Sequence, residues 1–124
     1  MTEGKRRMMP SFQRKSHRGD GVEDAAMHLA RALGFPFVRL EEYSISCGIL
    51  RKVPAETACR LRCVPMVWNA HRVVLAVEDA FQALYLTLNP EVAGVPRGRR
   101  LELAFTTTRG LDAALDRRLR IVRG

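Results

Sequence analysis

Two apolar runs, Cys63–Trp68 and Arg72–Val77, separated by Asn69-Ala70-His71, constrain this chain more than any other feature. Both are rich in β-branched and apolar residues and the gap has hairpin length, so they read as two antiparallel strands. Neither run alternates with polar residues: Val64, Met66 and Trp68 fall on one side of the first, Pro65 and Val67 on the other. Strands that are apolar on both faces are central strands covered on two sides. The chain therefore has to supply helices for both faces, and its 124 residues allow one core to do so.

The flanking segments provide them. Val22, Ala25, Ala26, Leu29, Ala32 and Leu33 recur at steps of three and four, with Glu23 and Asp24 favouring the helix dipole at the start and Gly34 stopping the helix. Phe35 to Leu40 reads as a short extended segment that Pro36 keeps at an edge or a strand start. Residues 45–53 and 54–61 read as two short helices, the second with Pro54 at its first position, where a missing N–H costs nothing. Asp79 and Gln82 resemble a capping box opening a helix over Ala80–Leu88, which Asn89-Pro90 ends. After a loop through Val95-Pro96-Arg97-Gly98, Leu101, Leu103 and Phe105 alternate with Glu102, Ala104 and Thr106 as a strand. A last helix over residues 108–122 buries Leu111, Ala114, Leu115, Leu119 and Val122. The predicted fold is α/β (α+β): a small mixed sheet, hairpin plus βαβ unit, packed by helices and preceded by an N-terminal helix.

Charge is partitioned along the chain. The net +8 comes from residues 1–19 at +5 and residues 97–124 at +5, while residues 20–96 carry −2. Residues 1–20 lack hydrophobic periodicity and read as a disordered basic tail, leaving residues 21–124 as the domain. A basic bias of this kind suits nucleic acid, an acidic protein surface or anionic lipid without choosing among them. Candidate protein- or anion-interaction residues are Arg97, Arg99 and Arg100, and Arg117, Arg118 and Arg120, although both clusters also read as solvated charge. The second complements the C-terminus of its helix. The aromatics Phe35, Phe37, Tyr43 and Trp68 lie outside these clusters and read as core rather than as a stacking platform for bases.

Catalytic patterns are missing. There is no phosphate loop, no glycine fingerprint after a strand, no metalloprotease helix and no nucleophile elbow, so no catalytic, metal or nucleotide-binding residue and no cofactor is assigned. Glu41 and Glu42 are adjacent on what reads as a solvated turn, and His71 as a solvent-facing loop residue. Cys47, Cys59 and Cys63 form neither a disulfide framework nor a zinc spacing, and read as buried, inert thiols. No run approaches the roughly 20 apolar residues of a membrane span and the basic N-terminus lacks a secretory h-region, so the expectation is a cytoplasmic protein.

Several runs carry a resemblance. Leu29-Ala30-Arg31-Ala32-Leu33-Gly34-Phe35-Pro36-Phe37-Val38-Arg39-Leu40, then Leu50-Arg51-Lys52-Val53-Pro54 with Ala58, then Cys63-Val64-Pro65-Met66 and Arg72 to Asp79, and finally Leu111-Asp112-Ala113-Ala114-Leu115, resemble the N-terminal domain of type II secretion and type IV pilus assembly ATPases. The likeness spans about residues 22–118. It implies a noncatalytic, bacterial, cytoplasmic protein-interaction and regulatory module in protein transport, coupling an ATPase to an inner-membrane platform. The partner implied is a platform component or the ATPase itself. Relatives that bind cyclic di-GMP carry motifs beginning Arg-Leu-Gly and ending in Gln. Here Leu29 fits the end of one copy, but Ala32 stands where Gln is expected and no Arg-Leu-Gly precedes it, which counts against that ligand. Asp79-Ala80 replaces the family's Asp-Pro, and the loop from Glu91 to Arg100 is longer than usual. Cyclic di-GMP response, or nucleic-acid binding through the tail and Arg clusters, are the alternative functions.

Overall fold

Three strands make the sheet. In the computed structural model, which describes residues 20–121, with side chains from Glu23 onward, β1 (Cys63–Trp68), β2 (Arg72–Val77) and β3 (Arg100–Phe105) lie in the order β1-β2-β3. β1 and β2 are antiparallel, β2 and β3 parallel, with Arg72 opposite Arg100 and Val77 opposite Phe105. The hairpin is closed by Asn69, whose side-chain oxygen accepts from the N–H groups of His71 and Arg72, both at 2.9 Å. Val73, Val77 and Phe105 on one face and Val64, Ala76 and Ala104 on the other are buried, as strands covered on both faces must be.

The predicted facing of β1 needs correction. The register shifts between Pro65 and Val67, so Met66 is bulged out of the ladder. Cys63, Pro65 and Trp68 therefore oppose Val77, Leu75 and Val73 on one face, while Val64 and Val67 share the other with Ala76 and Val74.

The helices are α1 (Asp20–Leu33), α2 (Cys47–Leu50), α3 (Ala55–Leu61), α4 (Ala80–Leu88) and α5 (Thr108–Arg120), with 3-10 turns at Leu40–Glu42 and Pro90–Ala93. α1 packs on β3, α2 on β1, and α5 on both α3 and the first 3-10 turn. Three caps are made as side-chain chemistry dictates: Ser46 accepts from the Ile49 N–H, Asp79 from the Gln82 N–H and Thr107 from the Gly110 N–H. Pro54 is the N-cap of α3 rather than its first helical residue, and the helix expected over residues 45–53 is one turn, closed by Arg51. Phe37 makes a single parallel bridge to Phe105, so the extended segment sits at the sheet edge as Pro36 requires. There Phe35 stacks on Phe105 with ring centroids 5.3 Å apart.

Burial departs from the sequence reading in four further places. Ala30 is the buried residue of α1, while Leu29 and Leu33 stay partly exposed. Leu119 is 57% exposed instead of buried, Val122 lies outside the described residues, and Tyr43 is half exposed rather than core. Of the cysteines, Cys63 is buried, Cys59 half-buried and Cys47 exposed. The tail expected over residues 1–20 lies outside the described residues except for Asp20, the first residue of α1. Among the described residues no helix is long and apolar enough to cross a membrane.

Candidate functional site

The six arginines picked from the sequence meet different fates. Arg97 is exposed in the loop before β3, Arg99 is half-buried, and Arg100 opens β3 with its side chain 76% exposed and 3.8 Å from Glu102. At the other cluster, Arg120 is held 2.6 Å from Asp116 one turn earlier in α5, and Arg117 donates to the Ile45 carbonyl at 2.9 Å. Arg118 is not surface charge at all. It is 9% exposed, its Nε donates to the Val53 carbonyl at 3.1 Å and its Nη1 to the Ile121 carbonyl at 3.3 Å. The helix-end run is thus mostly engaged within the fold, whereas among the described residues Arg97 and Arg99 pair with no carboxylate.

Beside β3 the sheet edge is open. Phe105 donates its N–H to the Pro36 carbonyl and accepts from the Val38 N–H, both at 2.8 Å. Strand alternation turns the backbone groups of Leu101 and Leu103 to the same side, where no backbone partner meets them among the described residues. A largely apolar groove of about 590 Å³ runs from this edge across the sheet face that carries Val67, Val74, Glu102 and Ala104, and reaches Thr87 of α4. At its end Arg72 donates to both carboxylate oxygens of Glu102, at 3.3 and 2.9 Å. Those hydrogen bonds hold the Glu102 carboxyl below its ordinary range, against a smaller opposing effect of desolvation.

A second ion cluster closes the far end of the sheet. Arg62 lies in the left-handed region at φ 54° and forks onto Glu78 at 2.8 and 2.9 Å while touching Asp112 at 2.8 Å. Its pKa is raised, chiefly by the hydrogen bonds to Glu78, and Glu78 is correspondingly held low. This network clamps the C-terminus of α3 to the end of β2 and to α5; sequence reading missed it because its members are 16 and 34 residues apart from one another along the chain. His28 and His71 are exposed, and the described residues hold no group of three or more His, Cys, Asp or Glu side chains arranged for a metal. Glu41 and Glu42 sit exposed on the first 3-10 turn.

The remaining feature escaped the sequence reading altogether. Phe81, Leu84, Tyr85 and Leu88 form one face of α4 and are 84%, 57%, 45% and 68% exposed. Ala83 and Leu86 bury the opposite face.

The MshEN domain model matches residues 33–122, well over half of the chain. This chain belongs to the MshEN domain family. Among solved structures, that of MshE with cdg is 18% identical to this MshEN domain with a TM-score of 0.65, covering 75% of this chain and 65% of the MshE chain. The N-terminal domain of XpsE is 17% identical with a TM-score of 0.57, covering 76% of this chain and 64% of that one. This chain thus spans slightly less than two thirds of either neighbour, and at these identities the likeness establishes the fold. No curated protein matches the chain. The family is the one that the runs at residues 29–40, 50–54 and 63–66 resemble, and the α+β arrangement expected from them is the one observed.

Proposed function

We propose that this MshEN domain is a noncatalytic docking and regulatory module that couples a type II secretion or type IV pilus ATPase to a protein partner of the same machine. The observation that carries the reading is the family match over residues 33–122. The partner would be a component of the inner-membrane platform or the ATPase itself, and the setting the bacterial cytoplasm. Arg97, Arg99 and Arg100 are the proposed contact residues: the first two precede and the third opens the strand whose outer edge is exposed and from which the groove runs, so an acidic partner segment would find charge, apolar surface and free backbone groups in one region. Arg117 and Arg120 are kept as weaker contacts because each already has an internal partner, and Arg118 is withdrawn because it is buried.

The test is retention of secretion or pilus components on the full chain from a native lysate, with and without charge reversal at Arg97, Arg99 and Arg100. Retention of a secretion or pilus component by the unaltered chain that drops on reversal supports the docking reading, and the contribution of the three arginines should itself weaken as salt rises. Recovery of nucleic acid alone, lost at high salt, would replace it with the nucleic-acid alternative.

A second reading is favoured by one observation, the likeness to MshE with cdg. On this reading the domain responds to cyclic di-GMP. Ala32 and the missing Arg-Leu-Gly weigh against it, and the absence of binding heat in calorimetry at high ligand concentration would remove it.

A further inference from the structure

We propose that α4 is a self-association surface, through which two copies of this chain pair antiparallel about a two-fold axis. The four exposed side chains of α4 stand at positions 81, 84, 85 and 88, spaced three, one and three residues apart. That spacing covers two turns of one helix face. It also reads the same in both directions, which is what an isologous contact requires: Phe81 of one copy meets Leu88 of the other, Leu84 meets Tyr85, and each contact occurs twice.

Charge permits a second copy as the occupant and disfavours an acidic partner. Although the chain carries +8 overall, no basic residue occurs between Arg72 and Arg97, and α4 itself has no charged side chain. The acidic residues of that stretch, Glu78, Asp79 and Glu91, lie beyond the two ends of the stripe, and Glu78 is already paired with Arg62. Two copies can therefore close on α4 without opposing like charges in the contact, whereas an acidic partner would find no cation there. The area is sufficient. The stripe leaves roughly 500 Å² of mostly apolar side chain accessible per copy, near the upper end for a patch on a monomer, and a symmetric pair would bury about twice that, the lower bound for a specific interface. Because the chain's basic charge is concentrated in residues 1–19 and 97–124, the pair is held by apolar contact against long-range repulsion, so it tightens as salt screens that repulsion.

Sedimentation equilibrium of the full chain, from low to high micromolar concentration and at low and high salt, tests this. A monomer–dimer equilibrium that strengthens with salt is expected. Phe81→Glu and Leu88→Lys should each raise the dissociation constant by about tenfold or more, since either buries a charge against an apolar partner. Both side chains are exposed in the monomer, so circular dichroism should be unchanged. Mixing the two variants should restore pairing as a heterodimer, because the antiparallel arrangement sets the carboxylate introduced at position 81 of one copy against the ammonium introduced at position 88 of the other, and leaves the second Phe81–Leu88 contact intact. Leu119→Lys, a charge on an exposed leucine of α5, should leave the equilibrium unchanged. A monomer at every concentration overturns the proposal. So does a dimer that dissolves with salt or ignores both α4 variants, and a mixture that fails to pair refutes the antiparallel register.

Discussion

Removing Arg118 should cost more stability than its position near a chain terminus suggests. Its side chain enters the fold from α5, and its Nε donates at 3.1 Å to the carbonyl of Val53, a residue with no exposed surface. Arg118→Met retains much of the aliphatic stem and removes the donors. The Val53 carbonyl then loses its bond where water is scarce, at a cost of about 2 kcal/mol. Arg118→Ala also loses the packed methylenes, raising the total to roughly 3–4 kcal/mol. Arg118→Lys can supply one donor but not the fork to Val53 and Ile121, and should fall between wild type and Met. The comparison is Leu119→Ala, one residue on and 57% exposed, which should cost under about 0.5 kcal/mol. Urea unfolding followed by circular dichroism reads the series: with a slope near 2 kcal/mol per molar, Arg118→Ala should lower the midpoint by about 1.5–2 M with the slope unchanged. If Arg118→Ala stays within about 0.5 kcal/mol of wild type, or Leu119→Ala costs more, the assignment of Arg118 to the interior is wrong.

Other outcomes follow from the same geometry. Arg62 is the one non-glycine with positive φ among the described residues, so Arg62→Gly and Arg62→Ala lose the same ion pairs while only the first relieves the backbone, and the glycine variant should melt as the more stable by about 1 kcal/mol. Because the hydrogen bonds from Arg62 hold the Glu78 carboxyl below its ordinary value of 4.5, the folded state binds fewer protons there than the unfolded chain. That stability, about 1 kcal/mol for a part-buried forked pair, is present above pH 4.5 and is lost as pH falls through the depressed value. Glu78→Gln should therefore be less stable than wild type near neutrality and converge with it in acid. Desolvation pushes the Cys63 thiol up to about 12, so alkylation of the native chain at mildly alkaline pH should modify exposed Cys47 and spare Cys63 until urea unfolds the protein; rapid native labelling of Cys63 would contradict its burial.

Local chemistry explains what could be read in advance. The hairpin strands were legible to the residue because Asn69 supplies the turn oxygen and the flanking residues are branched and apolar. The caps at Asp79 and the stop at Gly34, which takes φ 81°, are equally local. What failed depended on distant partners. The bulge at Met66 has no residue signal of its own and reverses the facing of everything after it in β1. Arg118 and Arg120 are two apart in one basic run, yet one reaches Val53 and the other a solvent-side aspartate, because α5 turns each to a different neighbour. Of the proposed contact residues, Arg97, Arg99 and Arg100 were legible as a cluster; the open edge of β3 beside them was not, since it depends on how far residues 36–38 follow the strand.

The stripe on α4 escaped the sequence for a more general reason. A helix that is apolar all round is ordinarily taken as buried, and Ala80–Leu88 contains only Gln82 and Thr87 as polar side chains. Burial on every side, however, needs neighbours on every side. α4 is the crossover between two parallel strands of a three-stranded sheet, and the elements it packs against in this fold take the face made by Ala83 and Leu86. Phe81, Leu84, Tyr85 and Leu88 face outward. A sequence that served only the monomer would gain by placing polar residues at those four positions, since each large apolar side chain left in water forgoes about 1.5–3 kcal/mol of burial. An apolar outer face is what a second surface on the same helix demands. It also separates the two surfaces physically: the arginines that open β3 attract by charge and weaken with salt, while the α4 stripe has no charge to screen and strengthens, so ionic strength alone distinguishes which of them a given complex uses.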